Sequence, residues 1–134
     1  MGETARGVIL TRGLSEATRL GIKLGAELAT FSGLAGVGDL IPRNVSSTRR
    51  HRELGALIAK GTALPAALQG MEGCVEGVLT ASEVAVVAQR LNLRLPLIKT
   101  VDDILNGRVA VRPALEEILK LDIELEREVL SARG

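Results

Sequence analysis

Between Gly33 and Arg52 the chain gathers residue types that can hold an anion. Gly33, Gly36 and Gly38 mark a bend, Asp39 offers a carboxylate, and Pro42 marks a turn. Arg43, Arg49, Arg50 and Arg52 follow, with His51 inside the cluster, and no acidic residue intervenes between Asp39 and Glu53. A local positive field at a glycine-marked bend is a natural place for a phosphate. The same residues also have purely structural uses. Glycines at a helix-to-helix bend act as caps and packing points, and an arginine cluster on a helix serves as a solvated face. Neighbouring helical residues stand about 100° apart, so one or two of Arg49, Arg50 and Arg52 at most would meet a ligand. Asp39 either caps the turn it opens or hydrogen-bonds a ligand hydroxyl. Glu76, flanked by glycine, is either an exposed link residue or a polar contact to a cofactor.

The elements that position these residues read as helices throughout. Leu10, Leu14, Ala17, Gly21, Leu24 and Leu28 recur at spacings of four and three, which predicts one helix over 4–28. Its small residues imply the close approach of another helix, and Arg6, Arg12, Glu16, Arg19 and Lys23 are expected to form its exposed face. A short segment carries Phe31, and Val37 to Ile41 suggest a further turn. Ser46 or Ser47 is expected to cap a helix that Gly61 stops near Lys60. Thr62 caps a short helix containing Pro65. Gly70, Gly73 and Gly77 mark an irregular link holding Glu72 and Glu76. Thr80-Ala-Ser-Glu83 has the form of a capping box for a helix ending near Asn92. Pro96 begins a helix to about Asn106, and Arg112-Pro113 opens the last one. No stretch alternates with a period of two, so the fold class is all-α, in a single domain over 1–134.

Composition narrows the functions. Apolar residues make up 46% of the 134, and Phe31 is the sole aromatic residue. The core must therefore be aliphatic. Seventeen Lys and Arg against sixteen Asp and Glu give a net charge near zero, which argues against general nucleic-acid or membrane binding. Cys74 is the only cysteine, so no internal disulfide is possible. That suits a cytoplasmic protein, and Cys74 is expected to be a small core residue. No signal peptide is legible, and no apolar run approaches a membrane span. There is no His pair at ligand spacing, so no metal site is expected. Nucleophile elbows, Walker loops and dinucleotide fingerprints are also missing. Glu116, Glu117, Glu124, Glu126 and Glu128 read as a solvated helix face.

The order of these blocks resembles the C-terminal domain of the NAD(P)-dependent glycerol-3-phosphate dehydrogenases. Ala5-Arg-Gly-Val-Ile-Leu-Thr-Arg-Gly-Leu-Ser-Glu16 is similar to that family's long helix, and Thr30-Phe-Ser-Gly-Leu-Ala-Gly-Val-Gly-Asp-Leu40 to its glycine bend. Val75-Glu-Gly-Val-Leu-Thr80, Leu95-Pro-Leu-Ile98 and Arg112-Pro-Ala-Leu115 resemble its later blocks in the same order. The resemblance implies the all-α fold shared with the C-terminal domains of 6-phosphogluconate dehydrogenase relatives. It also implies reversible hydride transfer between glycerol 3-phosphate and NAD or NADP in the intact enzyme. It implies that Asp39 contacts substrate hydroxyls. A Ser-Arg-Asn triplet that contacts substrate falls on Arg49, Arg50 and His51, of which Arg50 alone keeps the family residue. Arg50 and Glu76 would contact the cofactor.

This sequence departs from the family at Arg49, at His51, and at Arg43-Asn44, where the family has Thr-Cys. The family's Rossmann domain and catalytic lysine lie upstream of the position matching Thr4, and neither Lys23 nor Lys60 matches that lysine. The chain alone is therefore expected neither to catalyse the reaction nor to bind the cofactor tightly. Its expected partners are a phosphorylated small molecule, a Rossmann domain of the same or another chain, and a second copy in a homodimer. A stand-alone, non-catalytic relative acting as an interaction or dimerisation module is the rival reading. A nucleic-acid contact through Thr48 to Arg52 is a third, which the missing aromatic platforms disfavour.

Overall fold

The computed structural model describes residues 2–38 and 46–120, and every regular element among them is helical. Helix α1 spans Glu3–Lys23. It stops five residues before the predicted end because Gly25 adopts φ +95°, open to glycine at little cost. The Gly25 amide returns to the Ile22 carbonyl at 3.0 Å and the Ala26 amide to the Gly21 carbonyl at 2.8 Å. This is a Schellman closure, and its reversal turns α2, Leu28–Ser32, back onto α1. The Phe31 ring lies over Gly21, where a Cβ would fall 2.1 Å from the ring's Cζ. The close approach expected at α1's small residues is thus made by an aromatic ring.

A π-helical turn, Leu34–Gly38, follows α2. A Cβ on Gly36 would fall 1.9 Å from the Phe31 carbonyl oxygen, so only glycine fits this crossing of backbone on backbone. Next come α3 (Ser46–Ala59), α4 (Leu64–Gln69), α5 (Glu76–Arg90) and α6 (Pro96–Leu105). The described chain ends in α7, residues 111–120. Helices α3, α5 and α6 close as α1 does, with Gly61, Asn92 and Gly107 taking the left-handed position.

Two helix starts differ from expectation. Ala63, not Thr62, precedes α4, and no side chain of its own caps that helix. Helix α5 begins at Glu76, four residues before the apparent capping box, and the Thr80 hydroxyl instead donates to the Glu76 carbonyl at 3.0 Å. The box is therefore ordinary mid-helix sequence.

Helix α6 packs between α1 and α5, while α4 packs on α3. One core forms around Leu54, Ala67 and Val75, with Leu57, Ile58, Leu68 and Val78 against it. Ala81, Ala88, Leu95, Leu97, Ala114 and Ile118 are also buried. Burying a side chain such as Ile118 fully contributes about 2 kcal/mol. Cys74 lies on the surface, contrary to the core placement expected from its apolar neighbours.

Of the face of α1 expected to be exposed, Arg6, Arg19 and Lys23 are exposed and Val8, Ile9 and Leu14 opposite are half-buried, but Arg12 and Glu16 turn inward. Glu16 is 1% exposed and Arg12 7%, while Leu10, Ile22, Leu24 and Leu28 are 42%, 49%, 64% and 61% exposed. The cause is the start of α6. Leu95 precedes that helix and cannot cap it, and Pro96 has no amide to offer. The Glu16 carboxylate crosses from α1 and accepts the next two amides, Leu97 N–H at 2.7 Å and Ile98 N–H at 3.1 Å. An amide pair at the positive end of a helix compensates for burying a carboxylate.

Candidate functional site

The basic cluster lies on the first turns of α3, whose outer face is set by Leu54 entering the core one turn later. Arg49 and Arg52 are exposed. Arg50 and His51 face the turn that leads into α5. Arg50 is partly covered, its side chain lying along Gly73, where a Cβ would stand 3.7 Å from Arg50 Cδ. Arg50 Nε donates to the Cys74 carbonyl at 3.0 Å. Its terminal Nη2 lies 4.0 Å from Glu76 Oε1, and the two side chains are 23% and 63% exposed. His51 Nε2 accepts the Gly77 amide at 3.0 Å. The consecutive residues Arg50 and His51 thus grip the Cys74–Gly77 turn at both ends, one through a carbonyl and one through an amide.

Glu76 is the first residue of α5 and not part of an irregular link. Its carboxylate stands at the positive end of that helix, where negative charge is favoured. With Nε anchored, Arg50 presents the rest of its guanidinium beside this exposed carboxylate. Such an arrangement can bind a phosphate by the terminal nitrogens and a hydroxyl or amide by the carboxylate. The structure therefore brings Arg50, His51 and Glu76 together and leaves Arg49 on the surface. Asp39 and Arg43 lie outside the described residues.

A second charged group lies at the far end of α6. Arg108 Nη1 donates to Asp102 Oδ2 at 2.8 Å and to Asp103 Oδ1 at 2.7 Å, and Lys99 Nζ donates to Asp103. The Lys99 hydrogen bond, seconded by that of Arg108, holds the Asp103 carboxyl below its ordinary value. The bonds to Asp102 and then Asp103 raise Arg108 in turn. These charges neutralise one another along a cleft of about 950 Å³, so they do not make a second anion site. Among the described residues no group of His, Cys, Asp and Glu is arranged to hold a metal, and no helix is long and apolar enough to cross a membrane.

The fold and the grip of a basic helix on a Val-Glu-Gly turn define an all-helical domain with one candidate polar site at the junction of two helices. Residues 1–116 match the family model of the NAD-dependent glycerol-3-phosphate dehydrogenase C-terminus, and the chain belongs to that family. It is 42% identical over 125 residues to an NAD(P)+ glycerol-3-phosphate dehydrogenase of Nitrosospira multiformis, covering 93% of this chain and 38% of that relative. The corresponding enzyme of Dechloromonas aromatica is 40% identical over 122 residues, covering 91% of this chain and 37% of its own length. A crystal structure of glycerol-3-phosphate dehydrogenase from Coxiella burnetii superposes with a TM-score of 0.79 at 32% identity, over 88% of this chain and 36% of the other. The chain thus spans well under half the length of these relatives.

Proposed function

We propose that this domain forms the substrate-binding wall of a glycerol-3-phosphate dehydrogenase, with Arg50 as the residue that neutralises the substrate phosphate. The observation that carries the reading is the anchoring of Arg50. A guanidinium fixed through Nε to the Cys74 carbonyl loses little side-chain freedom on binding an anion. Arg49 adds positive field from the surface, and Asp39 is assigned to the substrate hydroxyls. Glu76 and Arg50 would hold NAD or NADP, which accepts the hydride when bound. The donor set fits such a group, because an exposed carboxylate beside a half-covered guanidinium matches a cofactor's hydroxyls and phosphates. In this reading the proton of the reacting hydroxyl is taken by a base outside this chain, and the domain's own work is binding, charge neutralisation and orientation.

Calorimetric titration with glycerol 3-phosphate, with and without NAD, tests this. Replacing Arg50 by Ala should weaken binding about 10- to 100-fold, the worth of one charge-assisted contact. Equal affinity in Arg50→Ala would remove the residue from the site.

One observation favours a second reading, an interaction module. Ile22, Leu24 and Leu28, around the turn from α1 to α2, and Leu10 on α1 are large apolar side chains left exposed, and exposed apolar surface can mark a place that meets a partner. Light scattering distinguishes the two readings, because a module built to pair with itself would form dimers that Leu24→Lys abolishes, while phosphate binding would be missing throughout.

A further inference from the structure

We infer that His51 is a positioning residue: its Nε2, by holding the Gly77 amide, fixes the start of α5 on α3 and so sets the place of Arg50 and Glu76. The claim about anion binding rests on the function proposed above; the claim about the helix start does not.

The inference begins with a deficit. A helix start leaves its first amides without intrahelical partners. Val75 precedes α5 and has no polar side chain, and no residue of that helix caps it. The Gly77 amide is satisfied from another helix, by an imidazole. Residue 77 must be glycine for this contact, since a Cβ there would stand 2.6 Å from His51 Nε2 and 2.8 Å from its Cδ2. Two residues earlier Val75 is buried in the core with Leu54. The Cys74–Gly77 turn is therefore held at three points, Arg50 on the Cys74 carbonyl, Val75 in the core, and His51 on the Gly77 amide. Glu76 emerges between the last two. Releasing the Gly77 amide leaves the Glu76 carboxylate on an unpinned helix end, and its spacing from Arg50 is no longer fixed.

The contact has one polarity, since Nε2 accepts and the backbone amide donates. Among the described residues, Glu76 at the start of α5 and Arg50 beside His51 on α3 are the charged groups that the same turn brings near. Helices α6 and α7 contribute the aliphatic Val101, Ile104 and Val111 to the cleft that His51 lines.

The test uses the whole chain and two variants. His51→Gln keeps an acceptor near the place of Nε2, and His51→Leu keeps the bulk without an acceptor. The first readout needs no ligand and is the exchange protection of the Gly77 amide by NMR. His51→Leu should be protected roughly tenfold less than wild type, the worth of one hydrogen bond, and His51→Gln should regain the protection. Wild-type protection in His51→Leu, or no recovery in His51→Gln, overturns the inference. The second readout is affinity for glycerol 3-phosphate, which should fall several-fold in His51→Leu and recover in His51→Gln. If wild type binds and His51→Leu binds equally well, the positioning claim is wrong. If wild type does not bind at all, the functional reading fails, and the Gly77 readout still decides the contact.

Discussion

Two helix starts in this domain share a problem and solve it with different chemistry. Neither Val75 before α5 nor Leu95 before α6 can cap its helix, and each helix borrows a cap from elsewhere in the chain. At α6 the cap is Glu16, a carboxylate 1% exposed that takes two amides from 81 and 82 residues away. At α5 it is His51, an exposed imidazole that takes one amide. A buried charge whose partners are fixed backbone groups tolerates no rearrangement, because any released group would be left in a dry interior. An exposed acceptor can release its amide to water at little cost. The first cap therefore behaves as scaffold, and the second as a contact the fold can lose more cheaply.

The comparison is broken or sharpened most strongly at Glu16. Replacing it by Ala should cost about 3 kcal/mol, since one buried and one part-buried amide lose their acceptor and a cavity is left. The check is the urea midpoint of unfolding, and a midpoint close to that of wild type would mean that the α6 cap is as dispensable as the α5 cap. The counterpart is Gly77→Ala. The new methyl displaces His51, but Ala gains about 1 kcal/mol of helix propensity over Gly, and the lost hydrogen bond is worth about the same. Stability should change by less than about 1 kcal/mol, while protection of the residue 77 amide and phosphate affinity both fall. A large loss of stability in Gly77→Ala would mean that both caps are scaffold.

The helical class was legible because the apolar residues recur at helical spacing, and the ends at Gly61 and Gly107 because glycine takes the left-handed position that closes a helix. The inward turn of Glu16 and Arg12 on α1 was not legible, although Arg6, Arg19 and Lys23 are exposed as expected. Spacing finds a stripe but does not say what lies against it, and here a carboxylate is aimed at a distant helix start. A signal was available in Leu95-Pro96-Leu97, since a helix start with no capping side chain requires an acceptor from elsewhere. Val75-Glu76-Gly77 carries the same signal. The apparent box at Thr80–Glu83 concealed it by offering a nearer start that the chain does not use. Of the candidate site, Arg50 and Glu76 were legible through the resemblance to the family. The anchoring of Arg50 on the Cys74 carbonyl was not, because a backbone carbonyl has no residue type to read.

A smaller effect than that of Glu16→Ala is expected at the other end of α6, where charge again meets a helix end but half-covered aspartates pair with cations that stand in solvent. Asp103 is held below its ordinary value of 3.8, first by the Lys99 hydrogen bond and then by Arg108. A folded-state value below the unfolded one means that the unfolded chain binds the proton more readily, so stability rises with pH across that window. The contribution is fully present above 3.8 and is lost as pH falls through the lower folded value. At neutral pH, Asp103→Asn should therefore shift the unfolding midpoint less than Glu16→Ala does, because ion pairs whose cations stand in solvent are screened by water and salt. Below the ordinary carboxylate range the two proteins should converge, and the wild-type advantage should shrink as salt is added. Unfolding curves in urea at neutral pH and at about pH 3, at low and high salt, measure this. An Asp103→Asn deficit as large as that of Glu16→Ala, unchanged by salt, would show that exposure does not separate working charges from structural ones in this domain.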